Sequence, residues 1–395
     1  SDVVIFNNSN APMEPVSFYE APTRKELWNL LEQTCSENCD YVVIPHNSNL
    51  SNGYMFEEPD QDELLIQSTK EPLVEIFQHK GSSECNINPN DPLCNFEQLP
   101  YKDFRSKFQN DLSSSPDSSF AREALGNGLL SQERQSINPL KFGIIASTDT
   151  HLGTPGAVDE TSFSGHGGAG KSFKSSIPEG LPDDIEFNPG GLAVAWAEEN
   201  SRSAIFDAFQ RKEVYGTSGP RFIVRFFVGD NLDKNMCNNP DNISYAYANA
   251  TPMGGTISSD SLAQPSIFIS ASADSSIKDQ FIEKLQVVKG VVRNGELLTS
   301  VHDVGVTDTQ SKLDISNCEV TGSGEKAMCS VWNDPNFNSS ENAYYYVRVV
   351  ANKSCRWSHN LCLQNPEYCE ADSDALIPKV IQERAWTSPV WLEST

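Results

Sequence analysis

The chain has 395 residues, of which 38% are hydrophobic and 21% charged, a composition typical of a globular protein with a large buried core. Its net charge of −25 argues against a nucleic-acid partner, because such partners require a basic surface. No apolar run approaches the roughly 18 residues needed to span a membrane. The expected class is therefore an acidic protein without a membrane span, long enough for two or three domains.

The first part of the chain contains one predicted helix and two predicted strands. Residues 1–22 are rich in Asn and Pro and are expected to extend over a surface. Arg24–Thr34 has leucines at helical spacing, and Thr23 precedes it as a candidate N-cap. The apolar segments Tyr41–Ile44 and Leu73–Phe77 are predicted strands, and each runs into a polar tip at its carboxyl end.

The central prediction concerns residues 143–151, GIIASTDTH. Ile144–Ala146 fits a buried parallel strand whose carboxyl end opens into a site. Asp149 and His151 lie two residues apart, so on an extended chain both side chains point to one side and can reach one cation. The alternative is an Asx-type turn with a surface histidine.

Three strands with polar tips indicate a parallel (β/α) barrel-like domain whose site lies at the carboxyl ends of the strands. Outer helices are predicted between Asp103 and Gln135 and over Asn200–Glu213, with Asn200 as the N-cap of the second. The apolar residues of that second helix that would face the sheet are Ile205, Phe206 and Phe209.

The segment between His151 and Gly191 is rich in Gly, Ser and Pro, which indicates a mobile loop or, alternatively, a lid over the site. It contains neither a GxGxxG nor a P-loop sequence. A nucleotide-binding loop is therefore not expected.

From about residue 226 the pattern is one of strands and turns, which predicts an antiparallel β region. Its aromatic residues are expected in the core, and a carbohydrate-binding role is the alternative. The predicted strands are Phe222–Val228, Ser266–Ser270, Lys284–Val292 and Ala343–Val350. The predicted domains are residues 1–225, part of the barrel, residues 226–350, the β-rich region, and residues 351–395, a terminal segment that packs back on the barrel.

The chain has ten cysteines, several of them close together in loops rich in Asn, Pro and Ser. This pattern predicts short disulfides and an extracytoplasmic location, periplasmic or secreted, while zinc binding is the weaker alternative because no CxxC pair occurs twice. Two pairs that flank turns are predicted to be bridged: Cys85 with Cys94, and Cys318 with Cys329.

Five motifs carry a resemblance to a known family. They are IPHNSNLSNGYMF, EPLVEIFQHKGSSEC, NPLKFGIIASTDTHLGTPGAVDE, GGLAVAWAEENSRSAIFDAFQRKEVYGTSGPRFIVRFF and the terminal IQERAWTSPVW. Together they resemble the DUF3604 family across nearly the whole chain, and that family looks like a branch of the PHP (polymerase and histidinol phosphatase) metal-dependent hydrolases. The resemblance implies an α/β fold, a distorted (β/α)7 barrel that is incomplete in this chain, with the antiparallel β-rich region appended.

The resemblance also implies a divalent metal site. Its ligands would be His46, Asp149 and His151, and His79 is a further candidate that could equally be a loop histidine. A complete site would hold two or three ions, and ligands of this kind suit Zn, Mn or Fe.

The same comparison places a KGSE-like loop beside the anionic group of the substrate, and Lys80 and Glu84 on this loop are the expected catalytic residues. The residues expected to bind substrate are Asn47, Gln78, Ser83 and His166. His166 lies in the glycine-rich segment, where it would be a lid residue or a proton carrier.

The early motifs of the superfamily, an HxH and further Asp, His and Glu ligands, are absent from these 395 residues. We therefore expect an N-terminal segment of the same precursor, or a companion chain, to complete the barrel and its ligand set. The expected function is hydrolysis of a phosphoester or related small anionic ester by metal-activated water. The alternative is a secreted binding or structural protein that keeps the scaffold without turnover.

Overall fold

The computed structural model describes residues 2–8, 10–35, 38–98, 116–151, 153, 155–163, 187–364, 366 and 378–394. Six α-helices lie within these ranges: α1 Arg24–Thr34, α2 Leu64–Lys70, α3 Ala121–Gln135, α4 Arg202–Gln210, α5 Asn242–Asn249 and α6 Trp357–Gln364. None of them combines the length and apolar character that crossing a bilayer demands.

Strands predominate in the described part of the chain. They are β1 Asp2–Phe6, β2 Tyr41–Pro45, β3 Leu73–Gln78, β4 Gly81–Ser82, β5 Gly143–Ala146, β6 Leu192–Ala195, β7 Val214–Thr217, β8 Ile223–Asp230, β9 Ala250–Pro252, β10 Thr256–Ser258, β11 Pro265–Ser272, β12 Ile282–Arg293, β13 Glu296–Val306, β14 Lys312–Asp314, β15 Glu319–Thr321, β16 Ala327–Asn333, β17 Ala343–Ala351, β18 Ser354–Cys355, β19 Val380–Ile381, β20 Arg384–Thr387 and β21 Val390–Glu393.

The largest sheet has the order β10-β21-β17-β20-β7-β6, and β12 extends it by pairing with β17 on one side and β13 on the other. This sheet is the centre of the fold because its strand β17 is buried on both faces. Successive side chains of a strand point to opposite faces, and those of β17 pack in two different hydrophobic clusters. Tyr345, Val347 and Val349 pack in one hydrophobic cluster, with strands β8 and β11. Tyr344 and Tyr346 pack in a second cluster, with α3, β3 and β5. The expectation that these tyrosines are core residues is confirmed.

The strands predicted to lead into the site do form, but they pair differently from a barrel. β3 and β5 are parallel neighbours, in register from Leu73 with Gly143 to Phe77 with Ala146. β2 pairs antiparallel with β1. β1 lies within residues 1–22, for which the sequence predicts only an extended chain over a surface. β6 and β7 are antiparallel as well.

The predicted (β/α)7 barrel is therefore wrong. A barrel of this kind needs parallel strands, each returned by a helix, whereas the main sheet is largely antiparallel and the described helices are few. The error has a physical cause: an apolar strand ending in polar residues looks the same in sequence whether its neighbour runs parallel or antiparallel. The main sheet also draws strands from all three predicted domain ranges.

Local sequence signals are confirmed at α1 and corrected at α4. Thr23 caps α1 through a capping box in which its side chain accepts from Glu26 N and the Glu26 side chain accepts from Thr23 N. The predicted helix after residue 200 forms as α4, but its N-cap is Ser201, whose hydroxyl accepts from Ala204 N. The predicted N-cap, Asn200, therefore lies one residue before the observed N-cap.

Four disulfides join described cysteines: Cys35–Cys39, Cys85–Cys94, Cys237–Cys329 and Cys318–Cys355. The predicted Cys85–Cys94 bridge is confirmed. The predicted Cys318–Cys329 bridge is wrong, because Cys318 is bridged to Cys355 and Cys329 to Cys237. Cys329 on β16 meets Cys237, in a short 3-10 helix, at a Cα–Cα distance of 5.7 Å.

Candidate functional site

The carboxyl ends of β2, β3 and β5 meet at one place. Because β3 and β5 are parallel neighbours, their ends coincide, and Ser147 N donates to Phe77 O at 3.0 Å. The end of β2 is tied to the same place, since Gln78 Nε2 donates to His46 O at 3.1 Å. The residues that follow the three strands, which include most of those predicted for the site, therefore form one group that we call the strand-end pocket: His46, Gln78, His79, Lys80, Ser147 and Asp149.

Asp149 lies between two histidines. Its carboxylate is 3.6 Å from His79 Nε2 and 3.4 Å from His151 Nε2. The exposed fraction of the side chain rises from 7% at His79 through 25% at Asp149 to 52% at His151, so the pocket opens to solvent on the His151 side. Asp149 has a φ of +54°, a conformation that is uncommon for residues other than glycine and recurs at functional sites.

Several buried polar atoms in the pocket have no hydrogen-bond partner among the described residues: His46 Nδ1, Glu75 Oε1, Gln78 Oε1, Lys80 Nζ and Asn188 Nδ2. An unpaired polar atom away from water costs about 1–3 kcal/mol. Native proteins keep few such atoms and concentrate them where a ligand or ion supplies the missing partner. Other such atoms are scattered through the described chain, but these five lie together at the strand ends, which supports a site there.

Burial shifts the protonation equilibria of these groups. It lowers the pKa of His46 to about 4, and the positive charge of the neighbouring Lys80 also lowers this pKa. It lowers the pKa of Lys80 to about 8, against the opposing effect of Glu75 and Asp149. His46 is therefore neutral near pH 7, which leaves a ring nitrogen lone pair available to a cation.

The metal ligands predicted from the resemblance are brought together only in part. Asp149 contacts both His79 and His151, while His46 lies in the same pocket and is coupled to Asp149 electrostatically. Sets of three metal-competent groups whose ligand atoms all lie within 4.8 Å of one another do occur in the described chain, but they consist of Cys85, Asp91 and Cys94, and of Cys318, Cys355 and His359. Their cysteines are disulfide-bonded, so they offer no thiolate.

The two residues predicted to be catalytic have different surroundings. Lys80 is buried in the strand-end pocket, as described above. Glu84 lies in a network of its own, where Oε1 accepts from Arg122, Arg348 and Tyr346 and Oε2 accepts from Trp386.

Burial alone would raise the pKa of Glu84, but Arg348 and Arg122 hold it well below its usual range. With both oxygens engaged by cationic and neutral donors, Glu84 is a permanently ionised anchor that fixes the loop after β4 to β17 and β20.

The predicted substrate-binding residues are also distributed unevenly. Gln78 and Ser83 are fully buried, and Gln78 lines the strand-end pocket. Asn47 follows His46 and precedes the 3-10 turn Ser48–Leu50. His166 lies outside the described residues.

Sequence reasoning missed two members of the pocket, Glu75 and Asn188. Glu75 is the third residue of β3, 5% exposed, and its Oε2 accepts from the Ser147 hydroxyl. A single carboxylate in the apolar run LVEIF was the available signal, because buried carboxylates are rare without a role. Asn188 is reached only by tertiary contact: its backbone N donates to His79 O at 2.9 Å, and no local pattern marks it.

A separate cavity of about 720 Å³ lies beyond the Asp149–His151 loop. It is lined by residues from several loops, among them Asp159, Glu160, Arg221, Asp274 and Glu383, and by the Cys318–Cys355 bridge. None of the predicted site residues that the structure describes lines it. Burial raises the pKa of Glu383 to about 8, so this acid is largely protonated near neutral pH.

Comparison with known proteins gives a family and no further relative. The chain matches no curated protein and no solved structure. The family model described as "Protein of unknown function (DUF3604)" matches residues 2–394, which is nearly the whole chain. The chain therefore belongs to the DUF3604 family.

Proposed function

We propose that this protein is a metal-dependent hydrolase that acts on a phosphoester or a related small anionic ester. One observation carries the proposal: the Asp149 carboxylate lies between two histidines, in a pocket that also buries the unpaired amino group of Lys80. Imidazole and carboxylate donors suit Zn, Mn or Fe. A buried ammonium group suits the negative charge of an ester that is anionic or becomes so during reaction.

The order of motifs supports a place in the PHP superfamily. A strand ending in His46, an EIF strand followed by KGSSE, and a strand ending in DTH occur in the order expected for that superfamily. The relationship is proposed on these motifs and on the parallel pairing of β3 with β5, and it does not require a closed barrel.

The residues that would hold the metal are His46, His79, Asp149 and His151. His46 fits this role because it is buried, neutral near pH 7 and has an unpaired Nδ1. When bound, divalent ions would lower the pKa of a bound water and polarise the ester. Of the chain's own groups, Lys80 would bind an anionic oxygen of the ester, and Gln78 would hold His46 in place through the His46 carbonyl.

We further propose an extracytoplasmic location. The four disulfides support it, since structural disulfides persist in oxidising compartments and are rare in reducing ones.

The test is the metal content of the purified protein together with its turnover of phosphomonoesters and phosphodiesters. We expect bound metal and hydrolysis to fall together in Asp149→Asn and His151→Ala, because each change removes one donor. His302→Ala is the matched control: His302 stacks on Trp332 in the β-rich region, away from the pocket. It should leave metal content and turnover unchanged.

Unchanged metal content in both pocket variants would show that these residues are not the ligands. Bound metal without turnover of any ester would instead favour a binding protein that keeps the scaffold without catalysis.

A further inference from the structure

Glu75 is an anomaly in strand β3. Its neighbours Val74 and Ile76 pack in the cluster beneath the main sheet, and Leu73 packs in the cluster beside β2 and α4. A carboxyl group among apolar side chains is costly unless each oxygen has a partner. Ser147 Oγ donates to Oε2, whereas Oε1 has no partner among the described residues. One oxygen of Glu75 is therefore fixed and the other is left for a group outside the chain.

The groups that act most strongly on Glu75 belong to the strand-end pocket. Lys80, which follows the same strand, and Asp149, after β5, act on it electrostatically, the Ser147 hydroxyl donates to it, and the Gln78 side chain lies close enough to lower its pKa. His46, after β2, is coupled to the same Lys80 and Asp149. Glu75 thus faces the site proposed for hydrolysis.

We propose that Glu75 is the proton-transfer residue of this site, a role that rests on the proposed hydrolase function. In its carboxyl form, Glu75 gives its proton to the leaving oxygen as the bond from that oxygen to phosphorus breaks. The attacking water bonds to phosphorus from the opposite side and loses its proton to solvent, and the Glu75 carboxylate regains a proton from solvent. The elements of water are added across the ester bond, and Glu75 returns to its starting state.

Two features suit Glu75 to this role better than Glu84. Both oxygens of Glu84 accept from donors on Arg122, Arg348, Tyr346 and Trp386, and the two arginines hold it ionised, so it has no proton to give. Burial raises the pKa of Glu75 to about 7, with Lys80 opposing the rise. A general acid is most effective when its pKa lies near the working pH.

The experiment compares two phosphate monoesters, one with a p-nitrophenolate leaving group and one with an alkoxide leaving group. An alkoxide needs protonation to leave, whereas p-nitrophenolate does not. We expect Glu75→Gln to lower kcat about 100- to 10,000-fold for the alkyl ester and less than about 10-fold for the nitrophenyl ester. Glu71→Gln is the matched control, because Glu71 is a buried glutamate bonded to Gln67 outside the pocket; it should change neither rate.

A second measurement does not depend on turnover. Because Glu383 is also a buried acid with a raised pKa, the infrared titration of each variant is subtracted from that of the wild type. A carboxyl band that titrates near pH 7 should remain in the wild type minus Glu75→Gln difference and be missing from the wild type minus Glu71→Gln difference. If Glu75→Gln does not fold, Glu75→Asp is measured in its place. Because it keeps a carboxyl group, it should keep a carboxyl band, and its kcat should fall less than about 10-fold for both esters.

The outcomes separate this inference from the function on which it rests. A wild type that hydrolyses neither ester and no phosphodiester overturns the hydrolase function and the role of Glu75 with it. A wild type that hydrolyses both, with the same leaving-group dependence in Glu75→Gln, overturns the role of Glu75 alone. A wild type minus Glu75→Gln difference without a carboxyl band that titrates near pH 7 also overturns it.

Discussion

Two buried glutamates nine residues apart, Glu75 and Glu84, have opposite environments. Glu84 is ionised because two arginines and two neutral donors surround it, and its role is to hold the loop after β4 against the main sheet. Glu75 has one hydroxyl donor and a nearby Lys80 without a direct ion pair. A glutamate side chain therefore fixes a loop at position 84, whereas at position 75 it is suited to exchange a proton.

A third buried acid, Glu383, makes a prediction about pH and stability. Burial raises its pKa from 4.5 to about 8, although the Ser218 hydroxyl bonded to it acts in the opposite direction. Because the folded protein holds this proton more tightly than the unfolded chain, the stabilisation is complete below about pH 4.5 and is lost as the pH rises through about 8.

We expect the free energy of unfolding in urea to fall between about pH 5 and pH 9 in the wild type and to fall less in Glu383→Gln. Glu133→Gln, at an exposed position of α3, should keep the wild-type slope. Equal slopes in the wild type and Glu383→Gln would contradict the prediction.

The site could be predicted from the sequence only where chemistry follows a strand directly. His46, Lys80 and Asp149 each come just after an apolar segment, so their proximity followed once the strands were placed. The sequence does not show which way a side chain leaves a loop. Lys80 and Glu84 share one loop yet lie in separate clusters, and Asn188 joins the pocket through a contact with His79 that is more than a hundred residues distant in sequence.

At the scale of elements, helix ends follow local rules, and α4 provides a test of them. Ser201 accepts a hydrogen bond from Ala204 N, while Asn200 precedes the cap. We expect Ser201→Ala to lower the free energy of unfolding by about 1 kcal/mol, as for other lost N-caps. Asn200→Ala is the matched control and should change it by a few tenths of that amount. Urea titration of the two variants decides between the caps, and a larger loss in Asn200→Ala would restore the cap expected from the sequence.

Strands were easier to predict than their partners. The apolar runs that became β2, β3, β5 and β17 stand out by composition and length. Pairing depends on tertiary contacts that local composition does not encode, and for this reason β2 joined β1 rather than β3. β17 carries apolar side chains on both faces, a pattern often found in parallel sheets, yet all its neighbours are antiparallel.

At the scale of the whole molecule, a central sheet buried on both faces replaces the expected barrel. One face packs on the sheet of β8, β9, β11 and β16, and the other on α3 and the strands that carry the pocket. The strand-end pocket is thus backed by the core of the β-rich region. The anchor at Glu84 is part of this connection, because its arginine and tyrosine partners Arg348 and Tyr346 lie on β17.

The disulfides act at this same scale, and their stabilisation should follow the length of chain they close. Cys237–Cys329 spans 92 residues and ties the 3-10 helix after β8 to β16, whereas Cys35–Cys39 spans four residues and begins at the C-cap of α1. In the chain-entropy account, closing these loops stabilises the fold by about 4.6 and about 2 kcal/mol respectively. We expect the paired serine variant Cys237→Ser with Cys329→Ser to lose more stability in urea than Cys35→Ser with Cys39→Ser, under non-reducing conditions. Equal losses would show that the long bridge acts through local packing between the 3-10 helix and β16, and not by restricting the unfolded chain.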